Sequence, residues 1–360
     1  MDLSAWGWSP FFQQRFAELG PPSALPARVI RVDRGAARLV TAEGERFASR
    51  RPSTRAPDGL GDDAPKAWAV GDWCAVTRRD DDRVWVEAIL PRQSHFVRKA
   101  AGRATGQKVV AANIDLVFVV TDLGDDFNVR RLERLLTLVW DGGASPAVVL
   151  NKADCCDDPE PLRQEAEAVA MGVPVWVTSA LSGQGLDTLG AAATPGSTVA
   201  FIGSSGVGKS ALINGLLGTE RQRTGAIRDR DGRGTHTTTS GELLQLPEGG
   251  ILVDTPGMRE VAMWASEAAL DTAFAEIDEA AQDCRFNDCT HDTEPGCAVQ
   301  RAVEEGTITA DRLASFHKLR KELQSEARRR DEHLRRQHER KLYGGYRQTA
   351  RLKRGAKGDD

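Results

Sequence analysis

The chain has 360 residues, 40% of them hydrophobic, enough to bury more than one core, so two or three domains are expected. No apolar run approaches the ~18 residues a membrane span needs. The first residues carry Asp2 and no basic leader, which argues against a signal peptide and predicts a cytoplasmic protein without membrane partners. The net charge of −4 conceals an asymmetry: Arg312 to Lys357 holds 16 Lys and Arg against 5 Asp and Glu, a basic tail on an acidic body. Such a block suits a nucleic-acid contact or a solvated helix face.

Residues 1–25 carry the aromatic stretch Trp6, Trp8, Phe11, Phe12 and Phe16, ending at Pro21 and Pro22, and read as a docking helix. Residues 26–95 contain five short β-rich runs, ARVIRV, AARLVTA, RFASR, WCAVTRR and RVWVEAIL, with a Pro- and Asp-rich insert near Arg51 to Lys66. Five short strands over so short a span predict a small β-barrel, with an OB-fold the leading form. It either binds an oligonucleotide or props up its neighbour.

Over residues 100–262 the texture changes to continuous apolar runs, IDLVFVV, PAVVLNK, VPVWVTS, STVAFIG and GILVDTPG, separated by helical segments. Strands buried on both faces of a mainly parallel sheet read this way, so an α/β domain is expected. One helix is easily placed: Asn128 is its N-cap, Val129, Leu132, Leu135, Leu136 and Val139 share a face, and Gly142 and Gly143 follow its end. Residues 263–345 are helical and polar around a Cys/His cluster, and residues 346–360 form a basic flexible tail.

The segment GSSGVGKS, Gly203, Ser204, Ser205, Gly206, Val207, Gly208, Lys209 and Ser210, follows one apolar strand and opens a helix at Ala211, the context of a Walker A loop. Its glycines let backbone N–H groups curl around phosphates, Lys209 reaches the β- and γ-phosphates, and Ser210 ligates Mg²⁺. In ILVDTPG, Asp254 ends a strand and can hold Mg²⁺, while the N–H of Gly257 would face the γ-phosphate. NKAD places Asn151, Lys152 and Asp154 at another strand end. A carboxylate at Asp154 accepts from guanine's N1–H and exocyclic amine, a donor pair adenine lacks. Asn151 would tie this loop to the base edge and the P-loop, with the Lys152 stem over the base. In TSA, Ser179 and Ala180 follow a further strand, where a backbone N–H can donate to guanine O6.

The base-reading motifs precede the P-loop, the reverse of the usual order in translation-factor-like GTPases, so the chain reads as a circular permutation. Between P-loop and Asp254 runs a polar, Gly- and Arg-rich loop in which one of Thr237, Thr238 and Thr239 should complete the Mg²⁺ shell, Thr238 being favoured. Many GTPases place a water-orienting Gln after DTPG; here Met258 stands there and cannot orient water. Slow intrinsic hydrolysis with stimulation by a partner follows, and His236 is either the water-positioning residue or a structural loop histidine. With negligible catalysis the protein would instead be a GTP-dependent RNA-binding switch, though intact Lys209, Ser210 and Asp254 speak against a dead site.

CRFNDCTHDTEPGC gathers Cys284, Cys289, His291 and Cys297, a Cys₃His set that fits one structural Zn²⁺ in a reducing compartment. Cys155 and Cys156 look incidental, as does Cys74. The OB-like barrel, the permuted GTPase motifs GSSGVGKS, DTPGMRE, NKAD and GRGTHTTT, and the Cys₃His module together closely resemble the RsgA family, bacterial small ribosomal subunit biogenesis GTPases. The resemblance implies a multidomain α/β protein with a C-terminal α-helical zinc-binding domain. It also implies a monomeric GTP phosphohydrolase, Mg²⁺-dependent and cycling between GTP and GDP. It would act with the 30S ribosomal subunit, 16S rRNA and other assembly factors late in maturation, stimulated by the subunit and released in a nucleotide-dependent way. Carried over residue by residue, it supports Asn151 to Asp154 and Gly203 to Ala211 as the GTP site and the Cys₃His set as zinc ligands.

Overall fold

The structure is a computed structural model describing residues 1–33, 36–55, 68–80, 82–99, 107–124, 126–170, 172–219, 241–254, 274–286, 289–318 and 320–321, with backbone alone at 36, 50–55, 98–99 and 107–108. Two compact units divide the chain, Met1–Ala275 and Glu276–Asp360.

In the first unit the strands β1 (Leu25–Asp33), β2 (Ala36–Thr41), β3 (Gly44–Arg55), β4 (Trp73–Arg78) and β5 (Arg83–Ile89) run in the order β1-β2-β3-β5-β4, and β4 pairs back onto β1. All neighbours are antiparallel except β3 and β5, which run parallel. This five-stranded closed barrel has the OB-fold order, and closure removes the unpaired edges that an open sheet would present. Alternation explains the sidedness: in β5, Val84 and Val86 point into the barrel core with Val29, Leu39 and Val76, whereas Arg83 is exposed and Trp85 only half-buried. β3 is longer than the RFASR run suggested and continues to Arg55, into the stretch expected to be an insert.

The aromatic segment forms α1 (Pro10–Leu19), with Ser9 before a proline in the first turn, where a missing N–H costs nothing. It docks on the barrel: the ring of Trp8 lies 4.7 Å, and that of Phe12 5.7 Å, from the ring of the fully buried Trp73.

The remaining strands form the sheet expected from the apolar runs. β6 (His95–Lys99) and β7 (Gln107–Ala112) make a separate hairpin; β8 (Leu116–Asp122), β9 (Ser145–Asn151), β10 (Val175–Val177), β11 (Thr198–Gly203) and β13 (Ile251–Asp254) are parallel, and β12 (Gly241–Gln245) is antiparallel to β13. The order is β10-β9-β8-β11-β13-β12. Helices α2 (Val129–Asp141) and α3 (Glu160–Val169) cover one face around Val119, Leu136 and Val148. On the other, α4 (Leu186–Ala192) and α5 (Lys209–Leu217) pack on Phe118, Phe201 and Leu252. α2 starts as its sequence requires, with the Asn128 carboxamide oxygen accepting from Arg131 N at 2.9 Å. The left-handed conformation at its end falls on Gly143 (φ +79°) rather than Gly142.

The barrel and the α/β sheet are continuous, because β12 also pairs with β1, Arg31 opposite Glu242 and Val32 opposite Gly241. Where they meet lies a buried polar junction. The guanidinium of Arg28, 1% exposed, donates to the carbonyl of Trp6 before α1, to Gly71 O in the barrel (3.4 Å), to Asn113 O before β8 (3.1 Å) and to Thr198 Oγ1 at the start of β11 (2.8 Å). Burial pulls its pKa down to about 10, against the raising influence of Asp115 and Asp72, so it remains a cation at neutral pH. Beside it Arg92 forms a bidentate pair with Asp72 at 2.6 and 2.8 Å.

The second unit carries the helices Ala275–Ala281, from Glu276 on, and Ala298–Glu304, and a helical segment over 310–318. The Cys/His cluster lies between the first two.

Candidate nucleotide site and metal centre

Strands β9 and β11 flank β8, and their carboxyl ends carry the predicted loops, the place where parallel α/β sheets bind ligands. Gly203 leaves β11 at φ +141°, Gly206 sits at φ +91° and Gly208 at φ +95° before α5 begins at Lys209. Side chains would not fit: a Cβ on Gly203 would lie 2.1 Å from Val120 O, and one on Gly208 would lie 2.2 Å from Asn151 Nδ2. The loop is anchored by Val207, fully buried in the core beneath α5. Ser205 and Gly206 are exposed at its crest. Lys209 is itself 94% buried, being 6% exposed, and its ammonium donates to Gly203 O (2.9 Å) and Ser204 O, which aims it across the loop from within. Ser210 and Ala211 follow in the first turn of α5, and Asp254 ends β13. Hydroxyl and carboxylate are the hard oxygen donors that Mg²⁺ prefers.

The base-side loops converge on Asn151, 1% exposed at the end of β9. Its Nδ2 donates to Val207 O of the P-loop at 2.8 Å, and its Oδ1 accepts from Thr178 Oγ1 and from Ala180 N, both at 3.2 Å. Asn151 therefore joins the P-loop to the TSA loop, the P-loop tie its motif predicts. The Ala180 N–H, expected to face guanine O6, is engaged by Asn151. Asp154, in a short 3₁₀ turn, accepts hydrogen bonds from the Ser179 hydroxyl and, at 3.3 Å, from the Cys155 thiol. The Ser179 bond first, then the Cys155 bond, hold its carboxyl below the usual range. It is thus an anion, the form that can accept from guanine's two donors. Cys155 is accordingly not incidental, since it shares that carboxylate.

Lys152 adopts φ +65°, uncommon for a residue with a side chain, and its ammonium pairs with Asp122 Oδ2 at 2.7 Å. Sequence reasoning missed Asp122. Its signal was present: it ends the apolar strand IDLVFVVTD, and β8 aligns it with Asn151 on β9. Gly257, Thr238 and His236 lie outside the described residues.

In the second unit Cys284, Cys289, His291 and Cys297 present donor atoms all within 4.8 Å of one another. Cys284 Sγ is 3.9 Å from Cys297 Sγ, and each of these sulfurs is 3.6 Å from His291 Nδ1. A tetrahedral Zn²⁺ with Zn–S ~2.3 Å and Zn–N ~2.05 Å requires edges of about 3.8 Å between sulfurs and about 3.6 Å from sulfur to nitrogen. The set therefore fits zinc. Burial opposes ionisation of Cys284, but the N–H groups of Ala298 and Val299 and the neighbouring thiols bring its pKa below the ordinary value. Burial lowers that of His291, keeping the ring neutral as a ligand must be. Gln300 Nε2 donates to His291 O at 2.7 Å, and His317 Nε2 lies 3.2 Å from the same oxygen, fixing the backbone at φ +65°.

A P-loop on the central strand of a parallel sheet, with NKAD and TSA loops earlier in the chain than the P-loop, defines a circularly permuted P-loop GTPase. A family model described as RsgA GTPase matches residues 89–264. The protein named small ribosomal subunit biogenesis GTPase RsgA 2 of Lactiplantibacillus plantarum is 51% identical over 255 residues, 71% of this chain and 72% of that one. Its namesake RsgA of Opitutus terrae is 41% identical over 371 aligned positions, 98% of this chain and 99% of the other. The chain belongs to the RsgA family of GTPases. The crystal structure of YjeQ from Thermotoga maritima superposes with a TM-score of 0.63 at 26% identity, over 83% of this chain and 98% of that one. A model described as ABC transporter also matches residues 186–355, a span containing the P-loop that ABC ATPases share.

Proposed function

We propose that this GTPase acts on the 30S ribosomal subunit late in its assembly, in the cytoplasm, with hydrolysis stimulated by the subunit and GDP formation releasing the protein. In this reading Gly203 to Ala211 hold the phosphates, with Lys209 balancing the charge on the β- and γ-phosphoryl oxygens. Ser210 and Asp254, joined by Thr238, hold Mg²⁺, which supplies charge neutralisation on the transferring phosphoryl group. Asp154, kept anionic by Ser179, selects guanine; Lys152, held by Asp122, flanks the base; and Gly257 and His236 serve the γ-phosphate and the attacking water. Cys284, Cys289, His291 and Cys297 hold one structural Zn²⁺, and the barrel and zinc module contact 16S rRNA.

The observation that carries the reading is the convergence on Asn151 of the P-loop, NKAD and TSA loops. The ribosomal partner is supported by the names of relatives that match nearly the whole chain. GTP hydrolysis measured with and without purified 30S subunits tests it, with Lys209→Ala as control. Stimulation absent from the variant is expected; a rate unmoved by 30S would leave a GTPase with another partner.

A further inference from the structure

The continuity of barrel and sheet places three charged residues in one cross-strand row. On β12, Glu242 lies opposite Asp254 of β13 on one side and opposite Arg31 of β1 on the other. Directly paired residues of antiparallel strands project to the same face with Cβ atoms ~4.5–5.5 Å apart, so Arg31, Glu242 and Asp254 share a face. It is the face on which α5 packs, since Leu244 and Leu252, two residues from Glu242 and Asp254 on their strands, belong to the core under α5. The Arg31 guanidinium lies 3.9 Å from the Glu242 carboxylate and 3.1 Å from that of Asp33.

We infer that Glu242 is a positioning residue for the Mg²⁺-binding Asp254, and that Arg31 of the barrel sets how strongly it acts. The inference rests on the nucleotide reading given above. Two carboxylates side by side repel each other, and a divalent cation at Asp254 relieves that repulsion, so Glu242 strengthens cation binding without touching it. Arg31 draws part of that negative charge toward the barrel. Glu242 also stands only three residues after the Thr237 to Thr239 run, so one short strand connects the barrel wall, the Mg²⁺ carboxylate and the nucleotide-sensing loop. A ligand that engages Arg31 or displaces β1 would thereby change the Mg²⁺ requirement of the nucleotide site.

The experiment is the dissociation rate of a fluorescent GDP from the full-length chain as a function of Mg²⁺ concentration. Glu242→Gln should raise the Mg²⁺ midpoint about fivefold, while leaving GDP affinity without Mg²⁺ and the melting temperature close to wild type. Arg31→Ala should lower the midpoint, and should have no effect when combined with Glu242→Gln. A midpoint unmoved by Glu242→Gln, or an Arg31→Ala effect that persists in the double variant, would overturn the inference while Mg²⁺-sensitive binding in the wild type left the nucleotide reading intact. A wild-type chain that fails to hold the probe at all would overturn both.

Discussion

Asn151 donates from Nδ2 to the carbonyl of Val207 at 2.8 Å, and the adjacent Gly208 approaches that nitrogen so closely that a Cβ there would lie 2.2 Å from it. The base-side loop and the P-loop are thus one bonded unit. Asn151→Ala strands the buried Val207 O and Thr178 Oγ1 and the half-buried Ala180 N, each bond ordinarily worth ~1 kcal/mol. We expect GDP affinity to fall by about 10- to 100-fold by calorimetry, with Gly208→Ala at least as damaging.

Asp154 has its folded-state pKa lowered, chiefly by the Ser179 hydroxyl. A lowered carboxylate pKa extends the anionic form toward acid, and the interactions that depend on it are lost only as pH falls through the folded value. Ser179→Ala removes the largest contribution. Guanine-nucleotide binding should then begin to fail at a higher pH than in wild type, measured between pH 6 and pH 3.5 by fluorescence; superimposable profiles would refute the assignment.

The zinc site predicts one zinc per chain by elemental analysis and proton release on reloading. Cys289→Ser or chelation should strip the metal. The helix Ala298–Glu304 begins at ligand Cys297, whose sulfur accepts from Gln300 N at 3.4 Å, so helicity in Glu276–Asp360 should fall with it, read by hydrogen exchange.

Arg28→Ala would leave the acceptors Trp6 O, Gly71 O, Asn113 O and Thr198 Oγ1 without their common donor. A loss of several kcal/mol in denaturant unfolding is expected, from stranded acceptors that each cost about 1 kcal/mol or more. Arg28→Lys should recover little, because an ammonium cannot span four divergent acceptors in the plane of a guanidinium.

What could be read directly from the sequence was local. Gly203 to Ser210, Asn151 to Asp154 and the Cys284, Cys289, His291 and Cys297 cluster each lie within a short window of sequence. The α2 cap at Asn128 was legible for the same reason. Arg28 was not: a charged residue between Ala27 and Val29 reads as the outward-facing position of a strand, and it is buried because the N-terminal segment and the α/β sheet cover that side of the barrel. The pairing of β1 with β12 joins segments some 210 residues apart and leaves no periodic trace. Asp122 acquires its partner Lys152 only when β8 and β9 align.

The pairing of β1 with β12 has a further consequence for the margins of the sheet. Among the described residues β12 is the last strand of the α/β sheet on that side, and its outer backbone groups would be a template for edge-to-edge pairing between molecules. The opposite margin is β10, only three residues long and a poor template. By lending one barrel strand to β12, the N-terminal domain caps the sticky margin of its neighbour. Cutting the chain before residue 100 would therefore not liberate a tidy catalytic domain but would bare an open margin prone to stacking into aggregates.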